Sequence, residues 1–174
     1  MTSAAGDKRL LLLRHAKAEA GLGIDDHDRA LTDSGRRDAA AVGQWLAVQG
    51  IVCQLVICST AIRTRQTWDV VAHHGGHTEF VEYRRRVYQG GPTGALEVIA
   101  EDGGDLDTIL VVGHAPTMPV LASLLTDGQG SAAAHAQLAG GFPTSAIAVL
   151  TYAGHWAGLG PGTAELESFF VGRG

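Results

Sequence analysis

Apolar and polar residues follow one another in blocks that fit short buried strands separated by amphipathic helices. Lys8–Leu13 contains four consecutive leucines, and Thr108–Val112 is β-branched and almost entirely apolar. Both patterns are typical of strands that are buried on both faces of a sheet. Between Ala39 and Gln49 the apolar side chains recur at helical spacing, and Gly50 ends the run. The two kinds of block therefore predict strands that alternate with helices.

The same pattern continues along the rest of the chain. One helix is expected to open near Thr32 or Ser34, either of which is a candidate N-cap, and another to begin at Pro116. Further helices are predicted at Thr60–His73 and Thr93–Ala100, and further strands at Leu55–Cys58, Thr78–Glu82, Ala146–Tyr152 and Glu165–Val171. The Ala/Gly-rich stretch Asp127–Gly141 is interpreted as a loop.

Alternating strands and helices predict an α/β fold, a three-layer α/β/α sandwich around a mostly parallel central sheet. The 174 residues (18.1 kDa) suit a single domain over residues 1–174, in which residues 1–7 are small, polar and expected to be disordered.

Composition narrows the classes of function. The net charge is −5 and the pI about 5.8, so no general basic field exists to bind nucleic acid, and no nucleic-acid partner is expected. The apolar runs are far shorter than the roughly 20 residues that a membrane-spanning helix needs. Leu10–Leu13 is also too short for a signal peptide, so a cytoplasmic protein without membrane contact is predicted. Cys53 and Cys58 are interpreted as buried, unpaired thiols.

The candidate chemistry lies at three predicted strand ends. Arg14-His15-Ala16 follows the first strand, Ser59–Thr67 follows the second, and Gly113–Pro116 follows the fourth. Ligands of open α/β sheets bind outside the carboxyl ends of the strands, so these segments could meet in one pocket. Two histidines and two arginines there suit a phosphoryl group, because arginine donors match its oxygens. A helix that begins after His114 would add backbone donors.

These motifs resemble those of the histidine phosphatase (phosphoglycerate mutase-like) superfamily, whose signature is Arg-His-Gly or Arg-His-Ala at the end of the first strand. The short chain is most similar to the bacterial phosphohistidine phosphatase branch, the SixA type. The segments that carry the resemblance are Leu11–Ala16, Arg29–Thr32 with Gly35, Ser59–Thr67, Val87–Tyr88 and Val112–Pro116. The resemblance implies a phosphoglycerate mutase-like fold and an enzyme that needs no cofactor or metal.

The resemblance also implies roles for individual residues. His15 would be the nucleophile and would become transiently phosphorylated, while Arg14, Arg63 and His114 would bind the phosphoryl group. Arg65 competes with Arg63 for the second arginine's role, but it lies about 200° further around a helix and is expected to face solvent.

Two more residues are candidate phosphate contacts. Ala115 follows the second histidine. Arg29 would add another contact, although it could instead pair with a neighbouring aspartate at position 25, 26 or 28.

The leaving group suggests the substrate. Larger members of the superfamily supply a carboxylate that protonates a departing alcohol, and no motif here identifies one among the candidates Glu79, Glu82, Asp25 and Asp26. The imidazole of phosphohistidine can itself be protonated near neutral pH and needs no such acid. Larger relatives also carry a cap insertion, whereas only Tyr83–Pro92 fills that space here. Phosphohistidine in a partner protein is therefore the predicted substrate.

Three alternatives stay open. The chain could be a phosphatase of small phosphate esters, nucleotides or acyl phosphates, which would use the same pocket. It could be a metal hydrolase, as the cluster of His73, His74 and His77 suggests, although the standard ligand spacing is missing. It could also bind phosphate without catalysis. The Arg84–Arg86 run is either a solvated group of charges or a surface that attracts an acidic partner. The sequence does not indicate an oligomeric state.

Overall fold

The fold is built on a six-stranded sheet in the order β3-β2-β4-β1-β5-β6, in a computed structural model that describes residues 7–174. The strands are β1 (Lys8–Arg14), β2 (Cys53–Ser59), β3 (Thr78–Arg84), β4 (Thr108–Gly113), β5 (Ala146–Tyr152) and β6 (Ala164–Val171). The first four strands are mutually parallel, whereas β5 is antiparallel to both β1 and β6. The mostly parallel α/β sheet is confirmed.

Helices cover both faces of this sheet. They are α1 (Asp33–Val48), α2 (Ile62–His73), α3 (Arg85–Gln89), α4 (Gly91–Gly103), α5 (Thr117–Thr126) and α6 (Ala132–Ala139), with 3₁₀ turns at Asp26–Asp28 and Trp156–Gly158. Leu11 and Leu13 of β1 pack with α1 and α2, while Leu10 and Leu12 pack with α4 and α5. All four leucines are fully buried, as a strand covered on both faces requires.

The start of α1 is tied to the chain that follows β1. The Thr32 hydroxyl accepts a hydrogen bond from the Gly35 N–H at 3.0 Å, which makes Thr32 the N-cap. A Cβ at Gly35 would lie 2.1 Å from the carbonyl oxygen of Lys17, so only glycine allows this close approach. The first turn of α1 therefore supports the segment that carries His15.

The interpretation of Asp127–Gly141 as a loop is wrong, because α6 occupies its centre. The Ser131 hydroxyl caps this helix by accepting the Ala134 N–H at 3.2 Å. Alanine is the best helix former, but the glycines on both sides of the run concealed that preference. The short α3 and the start of α4 at Gly91 were also not predicted.

Cys53 and Cys58 are buried and unpaired, as predicted. The expected disorder of residues 1–7 falls almost wholly on residues 1–6, which lie outside the described residues. Across residues 7–174, no helix combines the length and the hydropathy needed to cross a membrane.

Candidate active site

Three neighbouring parallel strands bring the predicted residues to one edge of the sheet. Because β4 lies between β1 and β2, the segments that follow these strands meet there. The His15 N–H donates to the Gly113 carbonyl at 2.9 Å, which ties the end of β1 to the end of β4. Together they line a cavity of about 650 Å³. All six predicted site residues are in its wall: Arg14, His15, Arg29, Arg63, His114 and Ala115.

Among residues 7–174, one side-chain hydrogen bond orients the ring of His15. Its Nδ1 lies 2.7 Å from the carbonyl oxygen of Ala16, and a carbonyl can only accept, so Nδ1 carries the proton. The Nε2 of the neutral ring then keeps its lone pair. Burial, with a smaller contribution from the charges of Arg63 and Arg14, lowers the pKa of His15 to about 4, despite the opposing Ala16 hydrogen bond. The ring is therefore neutral near pH 7, with an unprotonated Nε2.

Arg14 and Arg63 present donors that the protein leaves unused. Arg14 Nη1 donates to the Phe142 carbonyl at 2.9 Å, and Arg63 donates to the backbone and side chain of Asp26 at 2.6 and 3.0 Å. The Nε atoms of both arginines are buried and have no hydrogen-bond partner among residues 7–174. Buried donors are normally paired, so these two indicate a site for an anion.

His114 lies in the cavity wall with the two arginines, but its ring is neutral. Its Nε2 lies 2.7 Å from the Ser59 hydroxyl oxygen, while its buried Nδ1 has no partner within the described part of the chain. Burial, assisted by the charges of Arg63 and Arg14, lowers the pKa of His114 to about 3. The ring lies 5.3 Å from that of His15, measured between centroids.

Asp26 is the one of the four candidate carboxylates that lines the cavity. Its carboxylate accepts hydrogen bonds from Arg29, Arg63 and the Tyr88 hydroxyl, at 3.0–3.1 Å. Burial alone would raise the pKa of Asp26, but the hydrogen bonds from Tyr88 and Arg63 outweigh it and leave the pKa lowered. Asp26 is therefore an ionised counter-charge. Arg29 combines its two predicted environments, since it lines the cavity and also pairs with Asp26.

Five wall residues were not predicted as site residues: Lys17, Ala18, Tyr88, Gln89 and Thr144. Lys17 and Tyr88 lie in or beside the segments that carry the family resemblance, which was the available signal. No sequence signal identified Thr144, because only the fold brings it to the end of β1. There the N–H of Ser145 donates to the carbonyls of both Arg14 and His15 at 3.2 Å.

Other highlighted charges lie outside the cavity. Arg65 is exposed, with its guanidinium 4.4 Å from the centre of the Tyr83 ring, so Arg63 and Arg65 point in different directions as the helical spacing predicted. Arg84 pairs with Asp102 and Arg86 with Glu101, which favours the solvated interpretation of that run. The histidines at positions 73, 74 and 77 do not line the cavity, and residues 7–174 contain no cluster of three metal-ligating side chains.

Comparisons with known proteins agree with this arrangement. Residues 10–86 match the family model of the histidine phosphatase superfamily (branch 1). The chain is 44% identical over 162 residues to the uncharacterised protein Rv1276c of Mycobacterium tuberculosis, covering 92% of this chain and 100% of that protein. It is 37% identical over 165 residues to the uncharacterised protein ML1117 of Mycobacterium leprae, with the same coverage.

Solved structures give the same assignment. The proposed phosphohistidine phosphatase SixA from Nakamurella multipartitia is 38% identical, with a TM-score of 0.84 over 98% of this chain and 99% of that one. Its counterpart from Agrobacterium tumefaciens is 30% identical, with a TM-score of 0.75 over 94% and 98%. The fold and the relatives thus define a phosphatase with a phosphoglycerate mutase-like α/β fold. The chain belongs to the histidine phosphatase superfamily and, within it, to the SixA-type branch.

Replacing the two arginines of α2 separately will distinguish their roles. Arg63→Ala should lower phosphatase kcat/KM by roughly 100-fold, because it removes a buried donor from the cavity. Arg65→Ala should change kcat/KM by less than about twofold, since it removes only an exposed contact with Tyr83. Steady-state kinetics, with thermal unfolding as the control for folding, measure both; a larger loss for Arg65→Ala would contradict the assignment.

The protonation of His15 is a second test. Its ring should stay neutral as the pH falls from 7 to about 5 and should titrate near pH 4, because burial and the arginines disfavour the cation. Nitrogen chemical shifts of the folded protein report both the midpoint and the tautomer, which should be protonated on Nδ1. A midpoint near the ordinary histidine value of about 6.5 would show that the ring is not held as described.

Proposed function

We propose that this protein is a phosphatase in which His15 is transiently phosphorylated, and that its preferred substrate is phosphohistidine on another protein. The observation that carries the proposal is the hydrogen bond from His15 Nδ1 to the Ala16 carbonyl. It leaves Nε2 unprotonated inside a cavity whose arginines hold unused donors. A neutral nucleophile beside cationic donors is what transfer of an anionic phosphoryl group requires.

The proposed first step exchanges one P–N bond for another. The Nε2 lone pair of His15 attacks phosphorus, and the bond to the substrate's imidazole breaks. That imidazole departs as a neutral ring, because its other nitrogen already carries a proton. Arg14 and Arg63 would neutralise the charge on the transferring oxygens, so that positioning and electrostatics supply most of the catalysis.

In the second step, water attacks the phosphorus atom of phosphorylated His15. A P–O bond forms, the P–Nε2 bond breaks, and inorganic phosphate leaves as H2PO4−, carrying the oxygen and both protons of the water. The bonding pair returns to Nε2, while Nδ1 keeps its proton and its hydrogen bond to Ala16. The enzyme is thereby restored in its starting tautomer.

The environment of Asp26 supports phosphohistidine, rather than an alkyl phosphate ester, as the substrate. An alkoxide needs a proton as it leaves, but the pKa of Asp26 is lowered and its oxygens already accept three donors. Glu79, Glu82 and Asp25 do not line the cavity. A protonated phosphohistidine carries its own leaving proton and needs no acid from the protein.

Access to the cavity supports a substrate displayed on a protein. Only the five-residue helix α3 lies between β3 and α4, where a larger insertion would cover the site. Small phosphate esters, nucleotides and acyl phosphates are the alternative substrates. Lys17 and Arg29 in the cavity wall favour a small molecule that carries a second acidic group, so both classes should be assayed.

A side-by-side assay with a chelator present tests the proposal. Phosphohistidine on a protein should turn over faster than a panel of alkyl and sugar phosphates, and the chelator should not change the rate. His15→Ala should retain less than about 1% of the activity, a loss of at least ~2.7 kcal/mol in transition-state stabilisation. The wild type should acquire an acid-labile phosphate label, and His15→Ala should not.

The exposed His73→Ala is the matched control, because it removes a histidine outside the cavity. It should keep full activity with and without the chelator. Substantial turnover by His15→Ala would refute the covalent mechanism. Faster turnover of alkyl esters by the wild type would move the substrate to small molecules.

Replacing Asp26 tests the absence of a general acid. Asp26→Asn should lower activity on phosphohistidine and on alkyl phosphates by the same factor, about tenfold or less, because the change loosens Arg29, Arg63 and Tyr88 without removing a proton donor. The ratio of the two kcat/KM values is the measurement. A selective loss of alkyl phosphate hydrolysis would identify Asp26 as a proton donor.

A further inference from the structure

Ser59 contacts the second histidine of the site from behind the cavity wall. It is the last residue of β2, it is completely buried, and it is not part of the wall itself. Its hydroxyl oxygen lies 2.7 Å from His114 Nε2 and accepts a longer hydrogen bond, 3.3 Å, from the Ala61 N–H. Within residues 7–174 these are the only two partners of the hydroxyl.

Counting donors and acceptors decides the direction of the short hydrogen bond. The Ala61 N–H can only donate, so it occupies an acceptor position on the Ser59 oxygen. If His114 also donated from Nε2, the buried serine proton would have no acceptor among the described residues, which is costly. If Ser59 donates to Nε2 instead, its hydroxyl is fully satisfied.

We infer that Ser59 is a positioning residue that donates to His114 Nε2 and so holds the ring in the tautomer protonated on Nδ1. The inference rests on the proposed function, with His114 in the phosphoryl-binding role that the family resemblance implies. Nδ1 is the ring nitrogen that Ser59 leaves available: it is buried and has no partner among the described residues, so its N–H would be the donor to a phosphoryl oxygen. In the opposite tautomer a lone pair would meet that oxygen and repel it.

The choice of tautomer matters because His114 is neutral. A charged imidazolium would donate from both nitrogens whatever Ser59 did. Burial and the nearby arginines lower the pKa of His114 to about 3, so the ring has a single N–H at physiological pH. A hydroxyl outside the cavity then determines whether the ring attracts or repels phosphate.

The test measures the tautomer and the anion affinity separately. Nitrogen chemical shifts at pH 7 should show wild-type His114 protonated on Nδ1, and Ser59→Ala should shift the ring towards a mixture of tautomers. Inorganic phosphate should bind Ser59→Ala about tenfold more weakly. Ser59→Thr keeps the hydroxyl and should restore both readouts.

Thr126→Val is the matched control. It also removes a fully buried hydroxyl, one that donates to the Ala122 carbonyl in α5 away from the cavity wall. It should leave the His114 tautomer and the phosphate affinity unchanged.

The nitrogen chemical shifts of His114 in the wild type can by themselves overturn the inference. Wild-type His114 protonated on Nε2, or Ser59→Ala with an unchanged tautomer and unchanged phosphate affinity, would refute the role of Ser59. Since the chemical shifts need no substrate, failure of this inference is distinguishable from failure of the proposed function, which would show as missing phosphorylation of His15.

Discussion

The complete burial of β1 constrains the rest of the structure. Its four leucines pack into both helical layers, while its two edges pair with β4 and β5. A strand enclosed on four sides has no freedom to shift, because slipping by one residue would exchange the two leucine faces and move Arg14 out of place. The position of His15 is therefore set by packing over the whole sheet rather than by its own loop.

The site on that strand end combines buried cations with neutral imidazoles. Burial, with a smaller contribution from the charges of Arg63 and Arg14, lowers the pKa of both histidines, and the same burial strengthens every interaction with an anion. Asp26 balances part of this charge by accepting from Arg29, Arg63 and Tyr88. An anion that enters the cavity would thus meet two neutral imidazoles and buried arginine donors that are already in place.

Most of the fold and the residues at the centre of the site could be predicted from the sequence. The strands that bear the site are strongly apolar, and each ends in an unusual polar motif. Helix α6 was missed because its alanines resemble a flexible Ala/Gly linker. The roles of Asp26 and Thr144 could not be read from the chain, since each depends on contacts with distant residues: Asp26 with Arg63, and the Thr144 segment with the end of β1.

The cavity is assembled from strand ends about fifty residues apart in the chain, at Arg14, Arg63 and His114. No contiguous fragment shorter than most of the chain contains all three, so binding of an anion there requires the assembled sheet. Ligand binding and global folding are consequently linked: an anion that binds only the native state stabilises it against unfolding. A nascent or partly unfolded chain lacks this set of side chains, because Arg14, Arg63 and His114 have not yet been brought together.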